Sequence, residues 1–271
     1  MFSLRLVAAR AVAFCMSAAS AMAAQCGNGP AGFPAWLAAF KQEAIAAGIS
    51  PRVASSALDG LTYDTKVISL DRNQHVFKQS FEQFSGRMVN SHRINKGRAM
   101  LKTHAGLLSR IEKSFGVPGP VVVAIWALET DFGANIGKMP VFRSLATLSY
   151  DCRRTEFFTG NLMDALRVVQ RGDLAPGQMR GAWAGELGQT QFMATNYFKY
   201  AVDFDGNGHR DLLRSVPDVL ASTANYLKGH GWQRGAGWQP GQPNFAALLQ
   251  WNKSQVYSKT VALLATRLAG E

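Results

Sequence analysis

The chain has 271 residues, of which 47% are hydrophobic, and its 29 Lys+Arg against 18 Asp+Glu give a formal net charge of +11. This composition suits a globular protein of one or two domains with a large core, and it excludes a disordered chain. The positive balance favours an anionic partner, but with no long basic run and no zinc-finger or RNA-binding signature, nucleic acid is not expected.

Residues 1–23 read as a signal peptide. Arg5 and Arg10 supply a basic start, AVAFCMSAAS an apolar centre, and Ala21–Ala23 the small residues of a cleavage site. The apolar part is too short for a mature membrane span. Phe14 and Gln25 are bulky where a lipid-attachment signal wants a small residue, so no stable membrane anchor is expected and the product is placed in the periplasm. Cys15 leaves with the leader. Cys26 and Cys152 remain, either as a disulfide of an oxidising compartment or as two unrelated thiols.

From residue 24 to 115 the chain reads as consecutive helices. Phe33–Ala47 is followed by Gly48, and Ser50-Pro51 caps and opens a short second helix that Asp59-Gly60 ends. A longer helix then carries Phe77, Phe81, Phe84 and Met88, and another carries Met100, His104, Leu107, Leu108, Ile111 and Phe115. These stripes are packing faces, with His104 a core histidine.

Residues 116–238 contain the chemistry. Val121–Leu128, VVVAIWAL, has no charge on any face, so its helix is buried all round, from Pro118 at its start to Gly133 at its stop. At its end stands Glu129. Burial and the negative end of a helix both disfavour the charged carboxylate, which is how a general acid is kept protonated near neutral pH. The following GANIGKMPVFRS has the wrong spacing for a phosphate loop, and Met139 stands where a Ser or Thr would hold magnesium. A helical turn at Leu145–Tyr150 leads to Arg153 and Arg154, whose forked donors suit carboxylates and sugar oxygens, or merely a solvated face. Phe157–Gln170 is a further amphipathic helix.

Gly181–Thr195, GAWAGELGQTQFMAT, combines glycines and glutamines with Trp183 and Phe192. Aromatic platforms beside amide groups suit carbohydrate. In DFDGNGHRD, Asp203, Asp205 and Asn207 alternate as calcium-loop ligands and His209 offers a carbonyl, but the twelfth residue is Arg214 instead of Glu. Asp218 completes the site if the loop is longer, or else caps the next helix with Ser215. An all-oxygen donor set selects calcium in a structural role, with no organic cofactor expected. Residues 239–271 form a C-terminal helical segment, with Phe245–Trp251 and a last helix near Val256–Leu268.

Taken together, FGVP-x4-VAIWALETDFG, LATLSYDCRRTEFF, AGELGQTQFM, YAVDFDGNGHRDL and ANYLKGHGW resemble the lytic murein transglycosylases of the membrane-bound transglycosylase B type. The resemblance implies a mainly α fold, with a lysozyme-like catalytic core, an N-terminal helical region and a C-terminal helix packed back on the core. It also implies peptidoglycan glycan strands as partner and substrate. The β-1,4 bond from N-acetylmuramic acid to N-acetylglucosamine would be cleaved by Glu129 alone, as acid and then base, to leave 1,6-anhydromuramyl ends. On the same ground Arg153, Arg154, Gln191, Tyr226, Trp251 and Asn252 match groove positions, and Asp203, Asp205, Asn207, His209 and Asp218 match the calcium loop.

The chain departs from the family at three places. Ala182 replaces a serine that helps orient the glutamate, Ala194 replaces a proline, and Glu186 stands where alanine is common. Glu186 is expected in the groove, tuning Glu129 or contacting the stem peptide. Two alternatives stay open. One is a hydrolytic muramidase using a second carboxylate, with Asp131, Glu156 and Glu186 as candidates; the other is a non-catalytic wall-binding scaffold.

Overall fold

Helices dominate the computed structural model, which describes residues 25–73 and 79–270; the expected signal peptide and Phe77 lie outside these. The first is α1 (Phe33–Ala46), and its Phe33 and Trp36 join Tyr63 and Tyr150 in an aromatic cluster. The segment before α1 is fastened to this cluster. Gly27 N–H donates to the Tyr150 carbonyl (2.9 Å), and a Cβ on Gly27 would meet the Tyr150 hydroxyl at 2.2 Å, so glycine is required for the approach. Cys26 and Cys152 form a disulfide across 126 residues, which decides between the two readings of these thiols.

Ser50 caps α2 (Pro51–Leu58) by accepting from Val53 N–H, and Asp64 caps α3 (Thr65–Arg72) in the same way. The phenylalanine stripe forms only α4 (Phe81–Met88), opened by a capping box between Ser80 and Gln83. The stripe from Met100 to Phe115 is not one helix. It divides into α5 (Ser91–Thr103) and α6 (Ala105–Phe115). His104 lies at the joint, where its N–H closes the last turn of α5 on Met100 and its carbonyl opens α6 by accepting from Leu108. One residue thus serves both helix ends, so the apolar period runs through the joint between two helices. His104 is half-buried beside Trp126, at a ring separation of 6.0 Å.

The central element is α7 (Gly119–Thr130), in which every residue from Val121 to Leu128 is buried. Pro118 is its N-cap, and the helix stops at Asp131 in the left-handed region, two residues before Gly133. The strands β1 (Met139–Pro140) and β2 (Arg180–Gly181) pair antiparallel. After β1 the expected helical turn is longer, a ten-residue α8 (Val141–Tyr150) that starts directly after Pro140, its Val141 N–H donating to the Met179 carbonyl (3.0 Å). Next come α9 (Thr155–Arg171), α10 (Ala194–Tyr200), α11 (Val216–Gly229), α12 (Phe245–Trp251) and α13 (Gln255–Ala269). Helices α5, α6, α11 and α13 all pack on α7, so the C-terminal helix does fold back on the core. Among the described residues no single helix is long and apolar enough to cross a membrane.

Candidate active site

Glu129 sits on the last turn of α7, half-buried in the wall of a groove of about 650 Å³. Its Oε1 accepts two hydrogen bonds, from Trp251 Nε1 (2.8 Å) and from the Tyr257 hydroxyl (2.6 Å). Both donors come from the C-terminal segment, at the end of α12 and in the first turn of α13, where Ser254 caps the helix on Tyr257 N–H. Trp251 is itself wedged edge-on against Phe192 and Tyr226. Where Ala182 offers no hydroxyl, Glu129 is thus held by donors more than 120 residues away. Trp251 was expected in the groove, whereas Tyr257 was not foreseen. Only its fit as a hydroxyl on the last helix could have suggested it.

Burial pushes the Glu129 carboxyl up to about 7; the Tyr257 and Trp251 hydrogen bonds oppose this, and the Glu186 charge adds to it. Burial likewise holds the Tyr257 hydroxyl well above its ordinary value, aided by the Glu129 charge, so it remains a neutral donor. A carboxyl divided between its two forms near neutral pH can give a proton and take one back. Because Oε1 is occupied by two donors, the proton of the acid form belongs on Oε2.

The remaining expected residues fall into three groups. Arg154, Glu186, Gln191, Tyr226, Trp251 and Asn252 all line the groove with Glu129. Gln191 takes a left-handed backbone (φ 52) and ties its loop down by donating to the carbonyls of Ile136 (3.2 Å) and Gly188 (2.9 Å). Tyr226 donates to the Gln250 carbonyl (2.7 Å), and burial pushes its phenol up to about 12. Arg153 is exposed and is not in the groove wall; its guanidinium turns to the Asp71 carbonyl (3.0 Å). Arg154 pairs with the Asp71 carboxylate and lies over the Phe158 ring at 4.8 Å. Asp71, buried in α3, thus holds both arginines, and no local pattern marks it.

Two of the candidate second carboxylates are also outside the wall. Asp131 caps α7, lies 3.6 Å from Arg93 Nε and 3.8 Å from Lys96 Nζ, and does not line the groove; nor does the exposed Glu156. Glu186 is therefore the one of the three that shares the groove with Glu129.

The acidic loop gathers three carboxylates. Carboxylate oxygens of Asp203, Asp205 and Asp218 lie within 4.8 Å of one another. Backbone N–H groups shape the ring: Gly206 (2.8 Å) and Gly208 (2.8 Å) donate to Asp203, and Phe204 (2.7 Å) and Asp211 (2.9 Å) donate to Asp218. Asp218 is fully buried, and burial pushes its carboxyl up despite those donors. Three converging carboxylates, one of them buried, fit a hard divalent ion. Asn207 lies on the same exposed loop, and the His209 ring turns away to the Gly172 carbonyl (2.9 Å). The loop reaches α7 through Gln189. That residue bonds the carbonyls of Leu212 (2.9 Å) and Leu213 (3.0 Å), accepts from Trp126 Nε1 (2.9 Å), and receives the Thr130 hydroxyl on its own carbonyl.

Residues 32–242 match the model of the transglycosylase SLT domain. The chain belongs to that family. It is 35% identical over 170 residues to membrane-bound lytic murein transglycosylase B of Escherichia coli, a match that takes in 60% of this chain and 47% of that protein. The chain thus spans about half the length of the curated relative it matches. Among solved structures it is similar to SltB3 from Pseudomonas aeruginosa in complex with NAG-anhNAM-pentapeptide. That likeness has a TM-score of 0.83 at 34% identity and covers 88% of this chain and 80% of the other. A lytic transglycosylase of Escherichia coli in complex with calcium is similar at a TM-score of 0.76 and 25% identity, over 91% and 96% of the two chains. The expected fold, mainly α with a lysozyme-like core, is the fold of this family.

Proposed function

We propose that this protein is a lytic transglycosylase that cleaves the β-1,4 bond between N-acetylmuramic acid and N-acetylglucosamine in peptidoglycan. The observation that carries this reading is Glu129, a carboxyl poised near pH 7 in a sugar-sized groove, with two donors on one oxygen. Family membership and a relative crystallised with a peptidoglycan fragment support it.

In the first step Glu129 Oε2 protonates the glycosidic oxygen, and the bond to C1 of the muramyl sugar breaks. The resulting carboxylate, held by Tyr257 and Trp251, then removes the proton of the muramyl 6-hydroxyl. The 6-oxygen bonds to C1, which closes the 1,6-anhydro ring, consumes no water and returns the proton to Glu129. An ordinary glycosidase uses a second carboxylate as nucleophile or base; here the substrate's own hydroxyl takes that part. Phe192, Trp183 and Phe157 give the groove apolar faces for sugar rings. The net positive charge suits a polymer that carries muramyl and peptide carboxylates. The protein acts after export, in the periplasm.

Mass spectrometry of sugars released from purified peptidoglycan tests this directly, with Glu129→Gln alongside. Anhydromuramyl products that vanish in the variant are expected. Reducing ends one water heavier would overturn the reading in favour of a hydrolase in which Glu186 activates water. Bound peptidoglycan with no release would mean a scaffold.

Calcium in the acidic loop belongs to the same reading. Asp203, Asp205 and Asp218 would hold it, with Asn207 and the His209 carbonyl completing the oxygen set. Through Gln189 the ion would stiffen the loop beneath Thr130, next to Glu129. Adding calcium to chelator-treated protein is expected to raise Tm, by an amount equivalent to about 3 kcal/mol at one hundred times Kd. Asp218→Asn should lose that increment. An unchanged Tm across millimolar calcium would exclude a bound ion.

A further inference from the structure

Glu186 is not explained by the mechanism above. It is half-buried in the groove wall, on a segment with little freedom. Its carbonyl accepts from Ala182 N–H (3.0 Å), and a Cβ on Gly181 would lie 1.8 Å from that carbonyl, so the two strands of the turn are in close contact. Leu187 and Phe192 exchange backbone hydrogen bonds at 2.8 Å on the other side. The carboxylate accepts from Ala184 N–H at Oε2 (3.2 Å) and from the backbone N–H of Glu186 itself.

What the carboxylate lacks is a cation. Arg154, which shares the groove wall, is committed to Asp71 and stacked on Phe158, and acts on Glu186 only at longer range. Among the described residues no Lys, Arg or His nitrogen forms an ion pair with Glu186; Lys253, the other cation that lines the groove, donates to the Gln250 side chain (2.6 Å), and the same groove contains a second carboxylate, Glu129. A half-buried anion beside another anion is unfavourable unless a positive charge arrives from outside. The turn that fixes Glu186 would offer that charge a rigid, preorganised acceptor.

We propose that Glu186 is the receptor for a primary ammonium group on the substrate. The inference rests on the peptidoglycan reading above and adds a specificity to it. Such a group has two sources in that polymer: a hexosamine whose N-acetyl group has been removed, and the side-chain amine of a diamino acid in the stem peptide. An ammonium donates to the Glu186 carboxylate and neutralises the pair of carboxylates, whereas an N-acetylated nitrogen carries no charge and gains nothing from Glu186.

The test is ligand affinity, measured calorimetrically on the full chain carrying Glu129→Gln so that nothing is turned over. One arm compares N-acetylated chitotetraose with its de-N-acetylated form. The other compares a disaccharide-peptide bearing a free diamino-acid amine with the same fragment acetylated on that amine. In one arm the free amine is expected to bind about tenfold tighter, the scale of one charge-assisted hydrogen bond. Adding Glu186→Gln, which keeps an oxygen for Ala184 N–H, should erase that advantage and leave the acetylated ligand unaffected. The arm that responds identifies the source. Equal affinity in both arms would overturn the inference while the peptidoglycan reading stands, as would a Glu186→Gln variant that shifts only the pH profile of the Glu129 enzyme. No binding of any fragment would overturn the peptidoglycan reading and this inference with it.

Discussion

Glu129→Gln should reduce turnover by about 10²–10⁴-fold, the usual contribution of a positioned acid–base group, and should make the protein more stable above pH 7. The second effect follows from linkage. The Glu129 carboxyl lies near 4.5 in an unfolded chain and is pushed up to about 7 in the folded one, chiefly by burial. Its raised value favours folding fully below about pH 4.5, and that contribution is lost as pH rises through about 7. A shift of this size is worth about 3 kcal/mol. The amide never ionises, and its oxygen still accepts from Trp251 and Tyr257, so the variant escapes the loss without losing those bonds. Urea unfolding of both proteins should therefore coincide at pH 4 and separate at pH 8, with the variant more stable. Coincidence at pH 8 would show that Glu129 is not held protonated by its surroundings. In the unmodified protein kcat/KM should fall as pH rises through about 7, because the acid form is lost.

The same numbers explain why the site lies where it does. Burying one Val, Leu or Ile side chain is worth about 1.5–3 kcal/mol, and Val121–Leu128 supplies a run of such residues. A single turn of α7 offsets the cost of holding one carboxyl in the wrong environment.

That much was legible in the sequence, because a buried helix ending in a carboxylate is a local pattern. The acidic loop was legible for the same reason, since alternating oxygen ligands lie within a few residues of one another. Other features depend on pairs far apart in the chain. Tyr257 reaches Glu129 across 128 residues, and the Ala182 position gave no sign of which group would replace the serine. Asp131 is two residues from Glu129, yet the left-handed cap turns it toward Arg93 and Lys96. Periodicity also misled at His104, where the apolar stripe continues through a joint between two helices. The disulfide could not be decided from two cysteines whose partners were unknown, and the structure brings them together beside Tyr150.

Asp71→Asn is the substitution expected to do most damage outside Glu129. Asp71 is 2% exposed at the end of α3, and three guanidiniums converge on it: Arg72 at 2.8 Å, Arg153 at 3.4 Å, and Arg154. Arg72 continues to Asp151 at 2.6 Å, next to the disulfide-bonded Cys152. Removing the one central negative charge leaves three cations facing an amide whose nitrogen repels at least one of them. Breaking a buried pair costs about 3–5 kcal/mol, but these arginines are partly exposed and water screens them, so a loss of about 2–3 kcal/mol is expected. Arg154 is the only one of the three in the groove wall. Freed from Asp71, it should stop presenting a fixed donor to the substrate, so KM should rise while kcat changes little, since Glu129, Trp251 and Tyr257 are untouched. Denaturation together with steady-state kinetics on peptidoglycan fragments reads both effects. A variant that is destabilised with KM unchanged would confine Asp71 to fold stability and remove Arg154 from substrate binding.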